Sequence, residues 1–212
     1  MDKKNLFFVI LLIVAVFSCG REGQEYLSHY NKGKVLFLNQ NLPKAIVSFE
    51  KAIKEKNDHV PSYVMLGKSY YFSGKTKEAK EIFKKLLKVK KNNINALNWL
   101  TRLEGIDERQ YSKAIKYCDR VLEMDINNYE AHYYKGLILL AQDKIKEAIL
   151  ELNQAVQIEK TVYLAHLTLG DIYDQKGLKD KAREEYKKVL LYNTSQKLEK
   201  ELEERIKSHE NN

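Results

Sequence analysis

Five histidines, two cysteines and a scatter of carboxylates are the side chains in this 212-residue sequence that could carry chemistry. Three histidines, His29, His132 and His166, fall on one position of a recurring pattern, and a column of imidazoles is what a row of metal sites would need. The spacing argues against that reading. Equivalent side chains on successive helical layers stand about one helix diameter apart, ~10 Å, whereas two ligands of one zinc must each reach it at about 2.1 Å. The histidines are therefore expected to be packing residues, and no metal or cofactor is expected. His59 and His209 fall in a turn and in the C-terminal tail. No G-x-G-x-x-G, G-x-x-x-x-G-K, H-E-x-x-H or G-x-S-x-G occurs, so phosphate-cradling loops, the zinc-protease helix and the serine elbow are absent. Paired carboxylates such as Glu203 and Glu204 sit in charged helix faces with no apolar pocket to raise a pKa, and no nucleophile has a base placed to activate it. No catalytic residue is assigned, and the chain reads as a non-enzyme.

The elements that would position these side chains are repeated. In Val60–Asn93, Tyr63, Leu66, Gly67 and Tyr70 recur at three or four, Gly74 breaks the run, and Ala79, Phe83, Leu86 and Leu87 resume it. That pattern is one amphipathic helix, a turn and a second amphipathic helix. Small residues then line up at Ala45, Ala79, Ala114, Ala148 and Ala182, spaced by 34, 35, 34 and 34, with companion glycines at Gly33, Gly67, Gly136 and Gly170. A hairpin this short cannot bury its apolar stripe alone, so copies must stack. The expected fold is all-α, an α-solenoid of five helical hairpins. Pro43 and Pro61 fall near helix starts, where a missing N–H does no harm. Cys118 takes the slot held by Phe49, Phe83, Leu152 and Tyr186 in the other copies, which predicts a buried structural thiol.

An aromatic, Leu-Gly and Tyr, followed by Ala and an aromatic at this spacing, resembles the tetratricopeptide repeat. The resemblance covers residues 26–194, in units 26–59, 60–93, 94–128, 129–162 and 163–194, and implies a right-handed superhelix. The middle unit departs from the pattern, with Thr101 where glycine is expected and one extra residue in Gly105-Ile-Asp-Glu-Arg. Residues 195–212, with Leu198, Leu202 and Ile206 on one stripe, are expected to form a C-terminal capping helix.

Lys3 and Lys4 precede twelve unbroken apolar residues, Leu6 to Phe17, too few to cross a hydrocarbon core of about 30 Å. Val16-Phe17-Ser18-Cys19 resembles the lipobox of bacterial lipoprotein precursors. It implies a signal peptide over 1–18, a lipidated Cys19, a tether over 19–25, and residence in the bacterial cell envelope facing the periplasm or cell surface. Gly20 favours the outer membrane over the inner by the same analogy.

The formal charge is +8, and the unit over 60–93 alone carries nine lysines against two glutamates. Solubility of an exposed face and attraction to anionic lipid both account for this. Nucleic acid does not, since no aromatic stacking module accompanies the lysines. In tetratricopeptide arrays the first helices line an inner groove, and the resemblance implies that Tyr30, Lys34, Phe37, Lys68, Tyr71, Arg102, Tyr133, Leu137, Asp171 and Asp174 point into it. The groove would run from basic and aromatic to acidic and would take a peptide or helix of an envelope protein. The expected function is a membrane-anchored, non-catalytic scaffold for protein–protein interaction, the alternative being a regulatory or substrate-presenting subunit of an envelope enzyme complex. No small-molecule substrate is evident.

Overall fold

The computed structural model describes residues 24–159, 163–192 and 194–210. The leader 1–18, Cys19 and most of the tether lie outside the described residues. Among those described there are eleven α-helices and no strand: α1 (Glu25–Leu38), α2 (Leu42–Glu55), α3 (Val60–Phe72), α4 (Thr76–Val89), α5 (Ile94–Thr101), α6 (Tyr111–Met124), α7 (Tyr129–Ala141), α8 (Ile145–Ile158), α9 (Tyr163–Gln175), α10 (Lys179–Val189) and α11 (Gln196–Glu210). None of them is long and apolar enough to cross a membrane. The fold is an α-solenoid of helical hairpins, and the chain divides into two compact units with the boundary at Ala96, inside α5.

Unit 1 holds the hairpins α1/α2 and α3/α4. Its core joins Ala45, Ile46, Phe49 and Leu66, with Tyr30, Leu36, Phe37, Ile53 and Tyr70 packed around them. The helices meet closely because a glycine faces a bulky residue at each crossing. A Cβ on Gly33 would lie 2.6 Å from the Phe49 ring, and one on Gly67 would lie 2.5 Å from Phe83. Local sequence sets the helix starts: Pro43 and Pro61 occupy first-turn positions, where no intrahelical N–H is needed, and Asn41 accepts a capping bond from the Lys44 amide at 3.4 Å.

Unit 2 repeats the arrangement in α7/α8 and α9/α10, where Gly136 meets Leu152 and Gly170 meets Tyr186. The hairpin that opens it is different. After Thr101 the chain widens into a π-helical segment, Arg102–Asp107, before turning into α6. This segment absorbs the extra residue of the third repeat, as a π-bulge does, and brings Gly105 against Ala114, where a Cβ would lie 2.7 Å from the alanine methyl. The fully buried Glu104 side chain sits in the same segment, with Lys113 Nζ 2.7 Å from one carboxylate oxygen and 2.6 Å from the other. The asparagines that interrupt the sequence between hairpins act as caps: Asn93 accepts from the Ala96 amide at 2.9 Å and Asn128 from the Ala131 amide at 3.0 Å.

One residue in each hairpin turn adopts the left-handed region: Gln40 (φ 57°), Gly74 (76°), Arg109 (56°), Asp143 (59°) and Gly177 (72°). Glycine occupies this position in only two of the five turns. The other three hold the geometry against the cost of a Cβ.

Candidate binding surface

In unit 1, α1 carries Tyr30, Lys34 and Phe37, and α3 carries Lys68 and Tyr71. The Tyr30 ring packs 6.0 Å from Phe49 and edge-on to His59 at 5.0 Å, and Lys34 Nζ stands 5.6 Å from its centroid. Such cation–ring pairs hold a lysine head over an aromatic face. Phe37 meets Phe72 at 6.0 Å, and Tyr71 meets Phe72 at 5.4 Å, both edge to face. Phe37, Leu38, Gln40, Leu42 and Phe72 line an open cleft of about 500 Å³ at the end of the hairpin. Lys34 is exposed and Lys68 half-buried. His59, expected in a plain turn, is built into the same cluster. It packs edge-on to Tyr26 at 4.8 Å, and its Nδ1 lies 2.7 Å from Ser62 Oγ.

In unit 2, Arg102 belongs to the π-helical segment rather than to a regular helix, with its guanidinium carbon 5.6 Å from the Trp99 ring centroid. Tyr133 is half-buried beside Tyr134, ring centroids 5.5 Å apart. Burial, the main cause, pushes its phenol up to about 12, so it stays a neutral donor. Leu137 is half-buried on the same helix.

Asp171 and Asp174 have partners within the chain. Arg205 Nη1 donates to Asp171 Oδ1 at 2.8 Å, His209 Nε2 lies 3.0 Å from Asp174 Oδ1, and the Tyr186 hydroxyl lies 3.0 Å from Asp171 Oδ1 and 3.4 Å from Asp174 Oδ2. Both carboxylates thus receive the chain's own last helix. His209, expected in the C-terminal tail, has a side chain only 6% exposed and stacks over Tyr186 with centroids 6.3 Å apart. Helix α11 also seals the apolar end of the unit, joining Leu202 and Ile206 to Ala182, Tyr186 and Val189.

His132 and His166, expected as packing residues, each also pair with a carboxylate of the neighbouring helix. His132 Nδ1 lies 2.6 Å from Glu151 Oε2, and His166 Nδ1 lies 2.6 Å from Glu185 Oε2, each pair joining the two helices of one hairpin. Glu151 also receives Lys135 at 3.2 Å, and Glu185 receives Lys188 at 2.7 Å. Burial would raise the Glu185 carboxyl, but hydrogen bonds from His166 and Lys188 outweigh it and hold the group below its ordinary value of 4.5. The shared separation of 19 residues was the available signal. His29 instead lies 3.9 Å from Glu25, one turn back on the same helix. Among the described residues no group of three His, Cys, Asp or Glu side chains is placed to hold a metal ion.

The family model described as tetratricopeptide repeat matches residues 26–59 and 60–93, and the model described as anaphase-promoting complex, cyclosome, subunit 3 matches residues 107–189. Human DnaJ homolog subfamily C member 3 is 32% identical over 102 residues, which is 48% of this chain and 20% of that protein. The chain therefore spans about a fifth of the length of that relative. Among solved structures, PilW, a widely conserved type IV pilus biogenesis factor, superposes with a TM-score of 0.73 at 17% identity, covering 88% of this chain and 91% of that one. The Pseudomonas aeruginosa pilF structure gives 0.73 at 16% identity over 89% and 90%. At such identities the likeness shows the fold alone. With the repeat model on its first two hairpins and the same helix-pair stack in its structural neighbours, the chain is a tetratricopeptide repeat protein.

Proposed function

We propose that the chain is a non-catalytic scaffold that takes a peptide or helix of a partner protein along the first-helix surface of its repeats. The observation that carries this reading is the aromatic cleft of unit 1. Phe72, 57% exposed, and the half-buried Phe37 border a cleft of about 500 Å³, in a unit where residues 24–96 hold fifteen lysines against six carboxylates. A bulky apolar side chain would fill the cleft and flanking carboxylates would meet Lys34 and Lys68, a combination of anchor and complementary charge typical of peptide recognition. Tyr30 and Tyr71 would extend that contact in unit 1, and Arg102, Tyr133 and Leu137 would offer a contact surface of their own within unit 2. Asp171 and Asp174 hold α11, so they enter the binding surface only with that helix.

The partner is read as a protein of the bacterial cell envelope, with the chain anchored through an acylated Cys19 and outer-membrane residence favoured. The lipobox-like sequence supports this. A fold shared with a type IV pilus biogenesis factor is in keeping with it. Crosslinking in cells, with and without Lys34→Glu, Lys68→Glu and Arg102→Glu, tests the surface: the triple variant should lose its captured partner, and unchanged capture overturns the reading. Fatty-acid analogue labelling, with Cys19→Ala as control, tests the anchor.

A further inference from the structure

The first and last helices of the described chain are finished differently. Helix α11 turns Leu198, Leu202 and Ile206 onto the core of unit 2 and exposes Lys197, Lys200, Glu201, Glu203, Glu204 and Lys207. That polar outer face is what the end of a repeat stack requires. Helix α1 lacks one. It gives Tyr30, Gly33, Leu36 and Phe37 to its neighbours, while Leu27, Asn31, Lys34, Val35 and Leu38 recur at three or four along the solvent side. Val35 is 58% exposed and Leu38 75% exposed. The solvent side of α2 continues the pattern with Lys44, Val47, Lys51 and Lys54, Val47 being 51% exposed. Five exposed lysines, Lys32, Lys34, Lys44, Lys51 and Lys54, thus stand among apolar side chains on the two helices, against Glu25, Glu50 and Glu55, and Glu50 already accepts the Tyr70 hydroxyl at 2.6 Å.

The residue types decide what covers this face. Protein-binding hot spots are rich in Trp, Tyr and Arg, and interface cores are poor in Lys; here the exposed side chains of the two helices include five Lys and no Trp, Tyr or Arg. A second copy docked on the same face would set lysine against lysine. A helix face with short apolar side chains buried shallowly and lysines reaching outward on long stems is suited to the boundary between acyl chains and anionic headgroups. We propose that the solvent face of α1 and α2 docks on an anionic bilayer, with Leu27, Val35 and Val47 entering the headgroup boundary and Lys44, Lys51 and Lys54 meeting lipid phosphates. The proposal depends neither on the peptide-binding reading nor on acylation of Cys19, since it concerns which side of unit 1 the bilayer touches.

The test must separate this contact from any insertion of the apolar run Leu6–Phe17. Tryptophan is placed in the full chain at Val35 (Val35→Trp) or, as a control, at Leu150 (Leu150→Trp), which is 62% exposed in unit 2. Each is mixed with vesicles of brominated phosphatidylglycerol and phosphatidylcholine, the native Trp99 giving the common background. Quenching is expected at Val35→Trp and not at Leu150→Trp. It should be absent on pure phosphatidylcholine and lost at roughly 1 M salt, where the screening length is about 3 Å. Each lysine near such a surface contributes about fivefold in partitioning, so Lys44→Ala with Lys51→Ala should raise the lipid needed for half-maximal quenching at Val35→Trp by roughly tenfold or more. Equal quenching at both probes, quenching at neither, or quenching indifferent to lipid charge would overturn the proposal. So would concentration-dependent self-association that Val35→Gln abolishes, which would assign the face to a second copy.

Discussion

Cys118 Sγ lies 3.9 Å from Thr101 Oγ1, across the first hairpin of unit 2. The equivalent places in the other hairpins hold glycine against a large residue: Gly33 with Phe49, Gly67 with Phe83, Gly136 with Leu152 and Gly170 with Tyr186. The third repeat therefore exchanges volume across one contact, adding a threonine side chain on one helix and removing a ring on the other. The threonine hydroxyl is satisfied by donating to the Leu97 carbonyl at 2.9 Å.

That exchange predicts coupling. Cys118→Phe alone should destabilise by about 1–3 kcal/mol through overpacking, and Thr101→Gly alone should also destabilise by opening a void beside the thiol. The double variant should be more stable than the sum of the two, by roughly 1 kcal/mol or more in a denaturation cycle. Simple additivity would mean the two sites do not share one volume.

The same burial predicts an inert thiol. Cys118 is fully buried, and burial pushes its pKa up to about 12 despite the hydrogen bond to Thr101. At neutral pH almost no thiolate is present to react. Iodoacetamide should leave Cys118 unlabelled in the native protein and modify it after denaturation; rapid native labelling at this residue, read by peptide mass, would contradict the packing.

Gly67 offers a sign test. Glycine to alanine inside a helix normally stabilises by nearly 1 kcal/mol, but here the new Cβ would lie 2.5 Å from the Phe83 ring. Gly67→Ala should instead destabilise by about 1–3 kcal/mol. Gln40 and Asp143 run the other way, since each holds a positive φ. Gln40→Gly and Asp143→Gly should each raise stability by up to about 1 kcal/mol, measured as a higher denaturant midpoint at unchanged slope.

Glu185 predicts an acid-limb effect. Because His166 and Lys188 hold its folded pKa below the ordinary 4.5, its contribution is fully present above that value and is lost as pH falls through the lower, folded value. Glu185→Gln should flatten the loss of stability between pH 5 and lower pH relative to the native chain. A parallel acid limb in the two proteins would show that the bond to His166 does not favour the charged carboxylate.

Much of the architecture was legible because its causes are local. Pro43 and Pro61 in first turns, the glycines facing Phe49 and Phe83, and Cys118 in the core all follow from helical period and from comparing one copy with the next. The third repeat was legible only as an irregularity. Whether an inserted residue loosens a turn or widens a helix depends on what the neighbouring helix can accept, and here Gly105 fits against Ala114 in a π-helical turn.

By itself the sequence determined the repeat period, the helix class and the small residue at each helix crossing, since a hairpin that contacts only its neighbours must carry its packing rules within its own 34 or 35 residues. Tertiary structure decided the polar pairings: His132 with Glu151, His166 with Glu185, and Arg205 and His209 on Asp171 and Asp174. Those depend on the length and direction of side chains reaching between packed helices, and spacing along a chain leaves that open until the helices are placed.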